Sequence, residues 1–162
     1  MRILVISDSH GMDELVMAVY NHELKNGLDC VLHLGDIGAG YENLKAKINC
    51  RMLMVPGNCD YGTTLPQTIV TELGGHKVFM AHGHRYIFGS DTSNLEYAAL
   101  QNGCDIALFG HTHVPYKCMK DDIFVLNPGS IAIPRQAGYD RTYAIMEIAD
   151  DGSIKAEFKI WK

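Results

Sequence analysis

Arg2-Ile3-Leu4-Val5-Ile6-Ser7-Asp8-Ser9-His10 is the stretch on which the fold turns. The apolar run Ile3–Ile6 is short and rich in branched residues, so it reads as a buried strand. It ends abruptly at Ser7-Asp8-Ser9-His10. The same phrase then recurs twice. Cys30–Leu34 reads as a second strand and runs into Gly35-Asp36, and Arg51–Val55 reads as a third and runs into Pro56-Gly57-Asn58-Cys59-Asp60. Between them, Asp13–Lys25 carries Leu15, Val16, Val19 and Leu24 at helical spacing with Gly27 as a stop, and Tyr41–Ile48 reads as a second helix. Strand, helix, strand, helix, strand predicts parallel pairing through crossover helices.

Further along, the character changes. Thr68–Glu72 and Lys77–Ala81 flank Gly74-Gly75 and read as a hairpin. Leu95–Gln101 reads as helix and Ile106–Phe109 as strand. Tyr116–Met119, Ile123–Leu126, Thr142–Ile148 and Ile154–Ile160 are strands, with turns at Asp121-Asp122 and Asp151-Gly152. These predict a mixed α/β domain with two sheets: a βαβ half, then a half ending in an antiparallel meander.

Polar groups able to bind metal gather directly after the apolar strands. Asp8 and His10 follow the first, Asp36 the second and Asn58 the third; His82 and His84 follow the hairpin, and His111 and His113 follow Ile106–Phe109. Open α/β sheets collect ligands outside the carboxyl ends of their strands. Glycines 11, 35, 57, 83 and 110 beside these groups permit tight turns and close backbone approach. Each fragment alone is weak: Asp-x-His is common by chance, Gly-Asp is usually a turn, and a lone His is more often structural. His111-Thr112-His113 is stronger, because both imidazoles can face one side of an extended segment. The joint order across five strand ends carries the reading. Imidazole, carboxylate and amide donors without a required thiolate suit Mn, Fe, Zn, Ni or Co better than Ca or Mg.

Bulk properties remove other classes. The chain has 162 residues, 47% apolar and 20% charged, with a net charge of −5 and no basic block, so a sequence-blind nucleic-acid partner is not expected. The apolar run at Ile3–Ile6 is shorter than the roughly 7–15 residues of a secretory segment. No stretch approaches the roughly 18 apolar residues of a membrane span. Cys30, Cys50, Cys59, Cys104 and Cys118 are odd in number and lack C-x-x-C spacing, which predicts free thiols in a reducing cytoplasm.

The blocks Asp8-x-His10, Gly35-Asp36, Gly57-Asn58-Cys59-Asp60, His82 and Gly110-His111-x-His113 resemble, in order, those of the calcineurin-like metallophosphoesterase superfamily. Asn127-Pro128-Gly129-Ser130 and Pro134-Arg135 resemble its compact bacterial and archaeal phosphodiesterase branch. The resemblance covers nearly the whole chain. It implies a four-layer αββα sandwich of two mixed β-sheets flanked by helices, one domain over 1–162. It also implies two divalent metal ions, with Mn favoured: one on Asp8, His10, Asp36 and His113, the other on Asp36, Asn58, His82 and His111, with Asp36 bridging. Small phosphodiesters would be cleaved by a metal-bridging hydroxide. The alternatives are phosphomonoester hydrolysis at the same site, or a non-enzymatic interaction scaffold of the kind a retromer subunit builds on this fold with a degraded metal site. A homodimer is compatible with a domain this small.

One position departs from the superfamily pattern. Where many members carry a His that protonates the leaving group, this chain has Cys59, a form shared with the compact branch. His84 is the imidazole available to take that role; otherwise the leaving group departs unaided. Asp60 is expected to orient a ligand or its loop, with a turn cap as the plain alternative. Ser130 and Arg135 are expected at the substrate, Arg135 through its guanidinium. Arg85 stays unassigned, His33 is read as structural, and His22 and His76 as surface imidazoles.

Overall fold

The structure, a computed structural model, describes residues 1–162. Three parallel strands, β1 (Arg2–Ile6), β2 (Cys30–His33) and β3 (Arg51–Met54), are joined by helices α1 (Asp13–Leu24) and α2 (Tyr41–Lys47). The hairpin β4 (Thr68–Leu73) and β5 (His76–Ala81) turns through Gly74-Gly75. Helix α3 (Ser93–Gln101) leads to β6 (Ile106–Leu108), parallel to β5. The chain continues through β7 (Pro115–Lys120), β8 (Ile123–Pro128), β9 (Arg141–Ile148) and β10 (Ile154–Trp161).

The last four strands are two separate hairpins and not one meander. β7 and β8 join the second sheet, ordered β4-β5-β6-β8-β7, whereas β9 and β10 close the first, ordered β10-β9-β1-β2-β3. Burial shows why: β8 is buried at every residue, as an inner strand parallel to β6 must be. β9 is buried from Thr142 to Met146 because it lies between β1 and β10. Alternation within each strand fits either sheet, so it could not assign the pairs.

Period-two patterning builds the layers. Ile3, Val5, Cys30 and Leu32 face Val78, Met80, Ile106, Leu108, Phe124 and Leu126 in a core between the sheets. The alternate residues Leu4, Ile6 and Val31 pack under α1 and α2 with Val16, Val19, Tyr20 and Leu44. On the far side, Phe79, Ala107 and Val125 pack against Leu95 and Ala99 of α3. The result is the αββα sandwich. No helix is long and apolar enough to cross a membrane.

His76 is not the free surface imidazole expected. Its Nδ1 lies 2.6 Å from Asp105 Oδ2 and its Nε2 2.8 Å from the Gly152 carbonyl, so it ties the second sheet to the β9–β10 turn of the first. Both acceptors are satisfied together only by the imidazolium. The hydrogen bond to Asp105 raises the His76 pKa above its ordinary 6.5. A raised folded pKa means stability that is fully present below the unfolded value and lost as pH rises through the folded one. In melting experiments with EDTA, the gap between wild type and His76→Gln should therefore be widest below pH 6.5 and narrow above it. A gap that grows with pH would refute this. His22, by contrast, is exposed, and its ring meets Trp161 edge-on at 5.7 Å.

Candidate metal centre

All the parallel strands end at one rim, and the loops leaving that rim carry Asp8, His10, Asp36, Asn58, His82, His111 and His113. Five of the seven have left-handed backbone: Asp8 at φ 54°, His10 at 46°, Asp36 at 51°, His111 at 66° and His113 at 59°. Non-glycine residues held there cost on the order of 1–3 kcal/mol each and cluster at functional sites. The surroundings must impose the conformation, and hydrogen bonds between the loops do so. Asp8 N donates to Gly35 O at 2.9 Å and His10 N to Asp36 O at 2.8 Å. His111 N donates to Asp8 Oδ2 at 3.0 Å, and Cys59 N to Asp36 Oδ1 at 2.8 Å.

Asp8, His10, Asp36 and His113 offer donor atoms that all lie within 4.8 Å of one another. His10 Nε2 is 3.4 Å from His113 Nε2 and 3.7 Å from Asp36 Oδ2. On the other side of Asp36, its Oδ1 lies 3.6 Å from His82 Nε2, which is 3.2 Å from Asn58 Oδ1. The His111 ring sits 5.2 Å from that of His82. Asp36 therefore stands between two groups of donors.

Hydrogen bonding tests whether these groups suit a cation. His82 Nδ1 faces the Leu34 carbonyl at 2.7 Å, and His113 Nδ1 faces that of Ile133, so each Nδ1 must donate. In the neutral rings, both Nε2 atoms are then bare lone pairs. They point at Asp36, Asn58 and Asp8, which are acceptors too. Asp8 Oδ1 is buried without a hydrogen bond, although His113 Nε2 is only 3.1 Å away. Acceptors converging on acceptors in a buried place call for a proton or a metal cation. The metal-free chain shows the pull on protons. Burial opposes it at both residues, yet the Asp8–His113 pairing holds the Asp8 carboxyl down and the His113 imidazole up. The donor set fits a divalent metal.

Around the donors, supporting residues fall into place. Asp60 accepts Ile37 N at 3.0 Å, Gly38 N at 2.7 Å and Gly57 N at 2.8 Å, binding the loops after β2 and β3 together. His33 is fully buried, with Nδ1 accepting from Gly35 N at 3.3 Å and Nε2 bonded to Ser9 Oγ at 2.9 Å. Burial pushes its pKa down to about 4, so it stays neutral and structural. His84 is half-buried beside the donors, its ring 5.5 Å from His82 and 6.2 Å from His111, with Nδ1 unpartnered. Cys59 is exposed at the rim. Partial desolvation against the loop, then Asp36 and Asp60, push its thiol up.

Ser130 departs from expectation. It was expected to meet substrate, but it is fully buried and its hydroxyl donates to the Asp8 carbonyl at 2.8 Å. No substrate atom can reach it. Arg135 is exposed, and its backbone nitrogen donates to the His113 carbonyl at 3.1 Å, which sets residue 135 beside the donor loop. Arg85 is exposed next to His84. Asn127, of the Asn127-Pro128-Gly129-Ser130 motif, is fully buried beneath the Gly110–His113 loop. Its one sequence signal was a polar residue inside an apolar strand.

Two mixed sheets flanked by helices, with a cation-seeking Asp/His centre at the carboxyl ends of their parallel strands, define a metal-dependent hydrolase fold of the phosphoesterase class. The chain belongs to the calcineurin-like phosphoesterase superfamily, whose domain profile matches residues 1–151. It is 29% identical over 171 aligned residues to the phosphodiesterase YfcE of Escherichia coli K12, covering 91% of this chain and 88% of that one. A conserved Streptococcus pneumoniae TIGR4 protein, described as a predicted phosphoesterase, superposes with a TM-score of 0.78 at 30% identity, covering 99% of this chain and 97% of that one. Vps29 of Entamoeba histolytica, solved with Zn²⁺, superposes with a TM-score of 0.76 at 25% identity over 99% of each chain. This protein is a metal-dependent phosphoesterase.

Proposed function

We propose that the protein hydrolyses small phosphodiesters at a pair of divalent metal ions held by Asp8, His10, Asp36, Asn58, His82, His111 and His113. The placement of the Asp36 carboxylate, with Oδ2 toward His10 and Oδ1 toward His82, carries this reading. It lets one residue serve both donor groups. Bound there, two dications would activate water and neutralise phosphoryl oxygens. The chain's own part is to fix the donors and leave the centre net positive within an acidic protein, since Asp8 and Asp36 are the only carboxylates in the donor set. Arg135 then binds an outer phosphoryl oxygen. Mn, Ni, Fe, Zn and Co all accept such imidazole and oxygen donors, and manganese is favoured among them on the family resemblance. The substrate is small: the chain between successive donor loops is taken up by the strands and helices of the sandwich, with no inserted subdomain there to hold a polymer. Five free cysteines support a reducing compartment such as the cytoplasm.

The test is an assay of purified protein on an aryl phosphodiester and the matching monoester, after EDTA and with each candidate metal restored. EDTA should abolish turnover, Mn²⁺ should restore it, and the diester should be the faster substrate. Inactivity under every metal defeats the proposal, and a faster monoester defeats its diester part.

Cys59 stands where a proton donor to the leaving group would be useful, leaving His84 as the partly exposed imidazole beside the donors. The protein should therefore favour diesters with acidic leaving groups. Cys59→His should raise kcat selectively on poor leaving groups, by up to about a hundredfold, the scale of general acid catalysis. An equal change across leaving groups would remove the missing-acid explanation.

A further inference from the structure

The connection from β8 to β9 supplies no metal donor, yet it touches the centre from both sheets. Asn127 Nδ2 donates to the Gly110 carbonyl at 2.8 Å and to Thr112 Oγ1 at 2.9 Å, which ties down the loop bearing His111 and His113. Its Oδ1 accepts Gly129 N at 2.8 Å, so the amide's donating nitrogen and its oxygen are both bonded to its own turn and that loop. Ser130 Oγ donates to the Asp8 carbonyl at 2.8 Å and accepts Ala132 N and Ile133 N at 3.1 and 2.8 Å. Ile131 N donates to Ser7 O at 3.3 Å, and the Ile133 carbonyl receives His113 Nδ1–H. Gly129, at φ 79°, sits where a Cβ would come within 2.1 Å of Thr142 Oγ1 and 2.9 Å of Pro115, so the turn is wedged between β7 and β9.

These bonds end on Asp8, on His113 and on Gly110 and Thr112, the two neighbours of His111, and Asp8, His111 and His113 all have left-handed backbone. Strained loops relax unless something over-determines them. We propose that Asn127–Ser130 is the positioning element of the metal centre, with Asn127 setting metal affinity by holding the Gly110–His113 loop in its ligating conformation. This rests on the reading of the centre as a metal site. Asn127 acts through the ligands and touches neither metal nor substrate. Outer partners of this kind are worth about 10–100-fold in metal affinity.

The experiment titrates Co²⁺ into wild type, Asn127→Ala, Thr112→Val and Tyr143→Phe, reading affinity by calorimetry and ligand geometry from the visible Co²⁺ spectrum. Tyr143→Phe removes a buried hydroxyl bonded to Glu23 at 2.6 Å in a core region away from the donors, and reports what a lost buried hydrogen bond does to stability alone. Asn127→Ala should bind Co²⁺ about 10–100-fold more weakly with an altered spectrum. Thr112→Val, which removes one acceptor at constant shape, should weaken binding in the same direction by less. Tyr143→Phe should melt lower without EDTA-sensitive change and bind Co²⁺ as wild type does. Should Asn127→Ala fail to fold, Thr112→Val decides alone. Wild-type affinity in the loop variants, or an equal loss in Tyr143→Phe, overturns the proposal while leaving the metal centre intact. A wild-type protein that binds no Co²⁺ overturns the metal reading and this proposal with it.

Discussion

Asp36→Asn is expected to fold normally and to lose more than about a hundredfold of its metal-dependent turnover, beyond the range seen when only outer partners are removed. The substitution keeps shape. Asn can still present an oxygen to Cys59 N, which donates to Asp36 Oδ1 at 2.8 Å, so the loop after β3 keeps its anchor. What disappears is the charge and the second anionic oxygen. Asp36 reaches toward His10 with one oxygen and toward His82 with the other, and a neutral amide can serve only one side as an acceptor while turning N–H₂ toward the other. Metal stoichiometry by elemental analysis should fall below wild type, and excess Mn²⁺ should not restore kcat. An Asp36→Asn enzyme with wild-type kcat at saturating metal would show that the two donor groups do not share this carboxylate.

Much of this centre was legible because the sequence repeats one device: a short buried strand followed at once by a metal-competent side chain. β1, β2 and β3 end within one residue of the ends of the apolar runs, and Asp8, Asp36 and Asn58 follow within four residues. What the sequence hid has a common cause, namely that it depends on which strands become neighbours. Nothing in the alternation of Thr142–Ile148 says that it lies beside β1, yet this placement splits the expected meander and carries Ser130 under Asp8. Once there, a serine that looked suited to substrate is sealed from solvent. His76 likewise looked like a hairpin surface residue until the β9–β10 turn brought the Gly152 carbonyl to it. The left-handed backbone of the ligands was invisible for another reason: Asp and His occupy it here under constraint from neighbouring loops, whereas a reader looks for glycine.

Gly57→Ala should be the most damaging single methyl group in the chain. A Cβ at Gly57 would lie 2.0 Å from Asp36 Oδ1 and 2.3 Å from the Asp36 backbone nitrogen. The carboxylate could rotate away, at the cost of its bond from Cys59 N, but the backbone nitrogen cannot, so the loops after β2 and β3 must separate. Their other tie, the Asp60 carboxylate, bonds Gly57 N as well as Ile37 N and Gly38 N, so it is pulled out of place by the same shift. Asp36 and Asn58 would move apart, and displacement of about 1 Å in a reacting geometry costs roughly a hundredfold. Overpacking of this kind also costs about 1–3 kcal/mol of stability, so activity must be compared with a destabilised control. Gly75→Ala provides it: Gly75 is at φ 87° with nothing within 4 Å of a new Cβ, in the turn at the opposite end of β5 from His82, and alanine strains the backbone without touching the centre. Both variants should melt below wild type, and only Gly57→Ala should lose turnover and metal affinity together. If Gly57→Ala hydrolyses an aryl diester at the wild-type rate, the close approach of these two loops does not set the position of Asp36.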